Sequence, residues 1–317
     1  MDIKKIIIII VAIIVIGVVG IFTFNSFSYN DDGVVTIGYM PTDHHSALLI
    51  ADAQGQFEKN GVKVKLIQFN NGGDMMVALA SGDLDIAYVG ITPALTTISK
   101  GVPAKIVSSV QNEGSGIVVD PSSNINSVND LKGKTISTPG ESSIQYLLLV
   151  YALEKAGLKK EDVSISSMKV ASMMDALRTN NIDGMLSYEP YVTMAIEEGV
   201  GKLIASSSDI LPGHPCCVIV ANENFINNNK ADLDKILAIH ENTTKFINEN
   251  PDEAAKLLPS NIVADPEIEK KAMAGITFTY GLDDSYIKNV MEFMQITKDL
   301  GFLEKALTES QIFLRGI

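Results

Sequence analysis

One unbroken apolar run precedes a long stretch in which two shorter hydrophobic periods alternate. Residues 6–22 carry no polar side chain, and Lys4 and Lys5 stand just before them. At about 1.5 Å per helical residue this run nearly matches a hydrocarbon core of roughly 30 Å, which predicts one transmembrane helix within residues 1–30. The lysines are expected to keep their end in the cytoplasm and so to place everything after about residue 30 outside. The exit, Phe24-Asn25-Ser26-Phe27-Ser28-Tyr29, has no small-x-small cleavage site, and no cysteine precedes Cys216. A retained single-pass anchor is expected, not a cleaved or lipidated leader.

Beyond the run, short strand-like segments alternate with helical ones, and the pattern occurs twice. Ala78-Leu79 with Leu84-Asp85 recurs as Ala176-Leu177 with Ile182-Asp183, and Met75-Met76 as Met173-Met174, all 98 residues apart. Phe57-Glu58-Lys59-Asn60-Gly61 resembles Leu153-Glu154-Lys155-Ala156-Gly157 at an offset of 96. Each copy predicts a strand (34–39; 135–137), a helix ending at glycine (47–59; 144–156), and a second strand (62–69; 163–169). A helix with paired methionines follows, then a third strand (86–89; 184–187). Such alternation implies βαβ crossovers and a mostly parallel sheet. Further strands are expected at 106–110, 116–119 and 215–221, with helices from about Asn224 to the end.

Two doubly wound α/β lobes follow from the doubling. Lobe I is expected to be discontinuous, 34–117 and 219–317, and lobe II to be inserted as 118–218. Two crossing strands make a hinge between them. About 285 residues beyond the apolar run suit two cores of ordinary size.

Charge narrows the partners. The net charge of −13, from 38 acidic against 25 basic side chains, excludes a nucleic-acid surface in its usual basic form. The only two cysteines are adjacent, so no disulfide framework is possible. Only two of the 25 basic residues are arginines, Arg178 and Arg315.

The segments GYMPTDHHSALL, FNNGGDMMVALASGDLDIAYVGITPAL, LKGKTISTPGESS and NIDGMLSYEP, in that order, resemble type II periplasmic binding proteins. The resemblance covers roughly residues 34–300. It is closest to the nitrate, sulfonate and taurine receptors, a group that includes thiamine pyrimidine-precursor proteins. It implies a small-molecule ligand bound between the lobes and an ABC permease with its ATPase as partners. No enzymatic activity and no cofactor are expected, because the anchor places the chain outside the cytosol and no Ser/His/Asp order, paired metal site or phosphate-binding glycine motif appears. Departures are the apolar N-terminal run and the lack of any tryptophan to stack on a flat ligand.

Open α/β sheets bind ligands beyond the carboxyl ends of their strands, at helix N-termini. This puts Gly90, Ile91 and Thr92, Ser142 and Ser143, and Gly72 at candidate contact points, where free amides and a partial positive charge suit an anion. Asp43, His44 and His45 lie on the exit loop of the first strand, Glu113 on a further cleft loop. Glu189 and Tyr191 are placed by the repeat opposite Gly90–Pro93. The arginines are poorly placed for an anion, which favours a sulfonate- or nitrate-like ligand held by amides and hydroxyls. The carboxylates leave a neutral or cationic ligand open. His44, His45, His214, Cys216 and Cys217 include metal-binding residue types, but adjacent ligands seldom serve one tetrahedral ion, so no metal is expected. The alternatives to an extracytoplasmic anion receptor are a binder of a thiamine pyrimidine precursor and an enzyme making that pyrimidine on the same fold.

Overall fold

A computed structural model describes residues 33–262 and 265–316. The apolar run, with the expected anchor, lies outside them. Among the described residues no helix is long and apolar enough to cross a membrane.

The chain builds β1 (Val34–Tyr39), α1 (Ser46–Ala53), α2 (Gln56–Lys59), β2 (Lys63–Gln68), α3 (Gly72–Ser81), β3 (Ile86–Gly90), α4 (Ile91–Ser99) and β4 (Ala104–Glu113). It then passes through β5 (Ser115–Val119), β6 (Thr135–Thr138), α5 (Ile144–Lys155), β7 (Ser164–Ser167), α6 (Val170–Arg178), β8 (Gly184–Tyr188), α7 (Tyr191–Glu197), β9 (Lys202–Ser206) and α8 (Ser207–Ile210). The return comprises β10 (Pro215–Asn222), α9 (Glu223–Asn228), α10 (Lys230–Glu249), α11 (Pro251–Leu257), α12 (Pro266–Met273), β11 (Ile276–Phe278), α13 (Asp284–Asp299) and α14 (Glu309–Ile312).

Two sheets result, ordered β11-β4-β10-β3-β1-β2 and β7-β6-β8-β5-β9. Apart from the edge strand β11, they are one topology made twice. In each, a parallel trio is followed by an antiparallel strand delivered from the other half of the chain, β10 in the first sheet and β5 in the second. The sheets are therefore mixed, more so than the alternation of strands and helices suggests.

The repeated aspartates do the same job in both copies. The Thr36 amide donates to Asp85 Oδ2 at 2.8 Å, and the Thr135 amide donates to Asp183 Oδ2 at 2.8 Å. Each carboxylate, standing before the third strand, thus fixes the start of the first strand beside it. The paired methionines serve as core, with Met75, Met76 and Met173 fully buried.

Two local expectations need correction. The helix expected over 47–59 is broken at Gly55, whose φ of 64° is a left-handed turn that glycine reaches without a Cβ clash. The C-terminal stretch is not wholly helical, because β11 pairs antiparallel with the end of β4. Its β-branched Ile276-Thr277 is the sequence cue.

Candidate functional site

The two halves meet where β1, β3, β6 and β8 end. Thr42, just past β1, caps a turn of 3-10 helix, Asp43–His45, by accepting from the His44 amide. Its hydroxyl also donates to the Glu189 carbonyl at 2.8 Å, just past β8. His44 Nε2 donates to the Gly114 carbonyl at 2.8 Å, at the link between β4 and β5. Lys271 on α12 pairs with Glu197 on α7 at 2.6 Å. The cleft is therefore closed by contacts between the sheets.

Gly114 is required at that link. Its φ is 79°, and a Cβ there would lie 2.7 Å from His44 Nε2. Glu113 is also left-handed, with φ 64°, and its Oε1 accepts from the Gly213 amide at 2.7 Å. Glu113 thus ties the outgoing link to the returning one.

A cavity of about 30 Å³ lies inside the closed cleft. A water molecule takes roughly 10–15 Å³ of such space, so the cavity suits a group of a few atoms. Three helix N-termini border it. Gly72 opens α3, Gly90 precedes α4, and Ser143 caps α5 by accepting from the Tyr146 amide at 3.1 Å. Each is the end of a helix of nine or more residues, where unpaired amides carry a partial positive charge. The polar lining is completed by Thr42, Asn70, Asn71, Ser142 and Gln145. Among the described residues no lysine or arginine lines the cavity. Arg178 is spent on Asp175 and Glu198, and Arg315 on Asp284 and Glu309.

Of the twelve residues that the sequence singles out, His44, Gly72, Gly90, Ser142 and Ser143 line this cavity. Ile91 and Thr92 are buried in the first turn of α4, with the Thr92 hydroxyl unpartnered. His45 is buried behind the wall, its Nδ1 accepting from the Met40 amide at 3.0 Å. Burial pushes its imidazole down to about 3, so it is neutral. Glu113 serves the link. Tyr191 packs edge-on against Tyr188, itself a lining residue.

Asp43 and Glu189 belong to a separate feature that includes Glu269 of α12. All three are buried, and the Asp43 and Glu269 carboxyls lie close enough to share a proton. Burial pushes all three carboxyls up, with Glu269 adding to the effect on Asp43. Glu189 and Glu269 are both raised to about 7. Sequence reasoning gave no hint of Glu269, which stands 226 residues beyond Asp43.

Cys216 and Cys217 also reach the cavity wall, facing His44. Neighbours on a regular strand would point to opposite faces. The pairing of β10 with β4 shifts register on both sides of Cys217, which releases this rule.

With this geometry in place, comparison with known proteins decides the family. A family model described as NMT1-like matches residues 30–259. The chain belongs to the NMT1-like family. This NMT1-like chain is 29% identical over 259 residues to a Brucella abortus protein named as a binding protein, covering 80% of each. It is 27% identical over 269 residues to a Bacillus subtilis binding protein named for aliphatic sulfonates, covering 83% of this chain and 79% of that one. Its fold matches the alkanesulfonate-binding protein SsuA from Xanthomonas axonopodis pv. citri bound to MOPS. The TM-score is 0.76 at 19% identity, over 89% of this chain and 98% of that one. The architecture is the two-sheet α/β fold of periplasmic binding proteins.

Proposed function

We propose that this NMT1-like protein is the extracytoplasmic receptor of an ABC importer for a small oxyanion, of sulfonate or nitrate type. The observation that carries the reading is the convergence of three helix N-termini on a cavity lined without lysine or arginine. Amide N–H groups suit an anion whose charge is spread over several oxygens. The Ser142 hydroxyl adds a donor, whereas those of Thr42 and Ser143 already donate to the Glu189 and Gly140 carbonyls.

The relatives support the solute class, since one binding protein named for sulfonates is similar in sequence and another in fold. A permease and its ATPase are the partners of such receptors. The apolar run of residues 6–22 would hold the receptor at the outer face of the membrane. Ligand would enter an open cleft, and closure through Thr42, His44 and Glu189 would present the loaded form to the permease.

Titration calorimetry with ethanesulfonate, taurine and nitrate tests the reading, with chloride and a neutral pyrimidine as controls. One-site binding of an oxyanion is expected. Binding of the pyrimidine alone would replace this reading with that of a thiamine-precursor receptor.

A further inference from the structure

We propose that His44, Cys216 and Cys217 form a site for a thiophilic d10 metal ion, zinc(II) or copper(I), in the wall of the solute cavity. This goes beyond the solute reading and does not depend on which anion the cavity takes.

Their three ligand atoms all lie within 4.8 Å of one another, and all three residues are buried. The His44 ring is already set for ligation. A carbonyl can only accept, so its bond with Gly114 keeps a proton on Nε2 and turns Nδ1 towards the sulfurs, where a metal ion can replace any proton on Nδ1. Metal-bound histidines are held in this way, with the far nitrogen donating to a carbonyl or carboxylate.

The spacing fits as well. Bonds of about 2.3 Å to sulfur and about 2.0–2.1 Å to nitrogen, at a tetrahedral angle, set nitrogen and sulfur about 3.6 Å apart. Nδ1 stands 3.5 Å from Cys216 Sγ and 3.9 Å from Cys217 Sγ. The objection that adjacent cysteines cannot serve one ion fails here, because the irregular register of β10 lets both face His44.

Three protein ligands leave one position free, and all three residues line the cavity, so the free position opens towards a bound solute. His214 stands nearby in sequence, its Nδ1 donating to the Leu211 carbonyl at 2.8 Å and its Nε2 buried without a partner. Two thiolates and a neutral imidazole suit soft d10 ions and exclude magnesium or calcium. Binding displaces to solvent the protons held by the two sulfurs and by Nδ1.

The test uses the full chain, reduced and stripped of metal, with no anion present. Cobalt(II) replaces zinc for spectroscopy, and zinc(II) and copper(I) are each titrated against a competing chelator. One equivalent per chain is expected, with thiolate-to-cobalt charge-transfer absorption. Cys216→Ser, Cys217→Ser and His44→Gln should each lose more than the 10–100-fold typical of losing an outer partner. Glutamine at 44 can keep a donor to Gly114 while removing the Nδ1 lone pair.

Absence of stoichiometric binding by either ion overturns the proposal. So does full retention of affinity in all three variants. If the cysteine variants do not fold, the wild-type cobalt spectrum decides, and bound cobalt without charge-transfer absorption is contrary. Anion binding by the metal-free chain is measured separately, so its failure would count only against the proposed solute.

Discussion

The Thr42 hydroxyl donates to the Glu189 carbonyl at 2.8 Å, joining residues 147 positions apart. Thr42 also caps the turn that carries Asp43, His44 and His45, so one side chain shapes the site and latches the two halves. Thr42→Val removes this neutral hydrogen bond across the cleft, worth about 0.5–1.5 kcal/mol, together with the cap on the His44 amide. Solute affinity should fall about two- to tenfold, and small-angle scattering should show a larger radius at subsaturating ligand. An unchanged affinity would mean that the latch does not contribute to closure.

Closure and stability should depend on pH through Asp43, Glu189 and Glu269. Burial raises these carboxyls, Glu189 and Glu269 to about 7 from an ordinary 4.5. The closed fold therefore holds protons that the unfolded chain has released, and stability falls as pH rises from about 4.5 to 7. For Glu189 and Glu269 the penalty stays constant above that window. Glu269→Gln should flatten this slope, removing on the order of 1–3 kcal/mol of the difference between pH 5 and pH 8. Thermal denaturation of both proteins across pH checks it. A wild type that gains stability over this range relative to Glu269→Gln contradicts the assignment.

The anion should be held by amides and hydroxyls, not by arginine. Arg178→Ala removes only surface ion pairs and should leave affinity within about threefold. Ser142→Ala removes a lining hydroxyl and should weaken an anion by about 1.5–3 kcal/mol, as a charge-assisted hydrogen bond does. Calorimetry on both variants separates the cases, and the reverse order would place the ligand elsewhere.

Asp85 and Asp183 make equivalent bonds in unequal surroundings. Asp85 is 8% exposed and also accepts from the Thr36 hydroxyl, whereas the Asp183 side chain is 40% exposed and faces Lys134. Asp85→Ala should therefore cost about 1.5–3 kcal/mol of stability. Asp183→Ala should cost clearly less, because water can replace its bond to Thr135. Chemical denaturation of the two variants gives the ranking, and equal losses would contradict the role assigned to burial.

The repeat was the most legible part of the chain. The offset that relates Asp85 to Asp183 and Met75 to Met173 reappears as two sheets of one strand order, because each copy must bury the same faces. The helix ends at Gly72, Gly90 and Ser143 were legible from capping residues. What stayed hidden depends on distances that no local pattern encodes. Glu269 meets Asp43 only after the tail has returned to the first sheet. Cys216 and Cys217 read as two small residues of an apolar strand, and only the register shifts of β10 turn them both towards His44. The break at Gly55 was missed because the apolar periodicity runs on through it.

A crystal structure of the protein with a short alkanesulfonate or nitrate tests the central claim most directly. The account predicts the anion in the cavity between Gly72, Gly90 and Ser143. Its oxygens should lie about 3 Å from amide and hydroxyl donors, with no arginine or lysine in contact. An anion clamped by a cationic side chain, or bound outside this cleft, would contradict it.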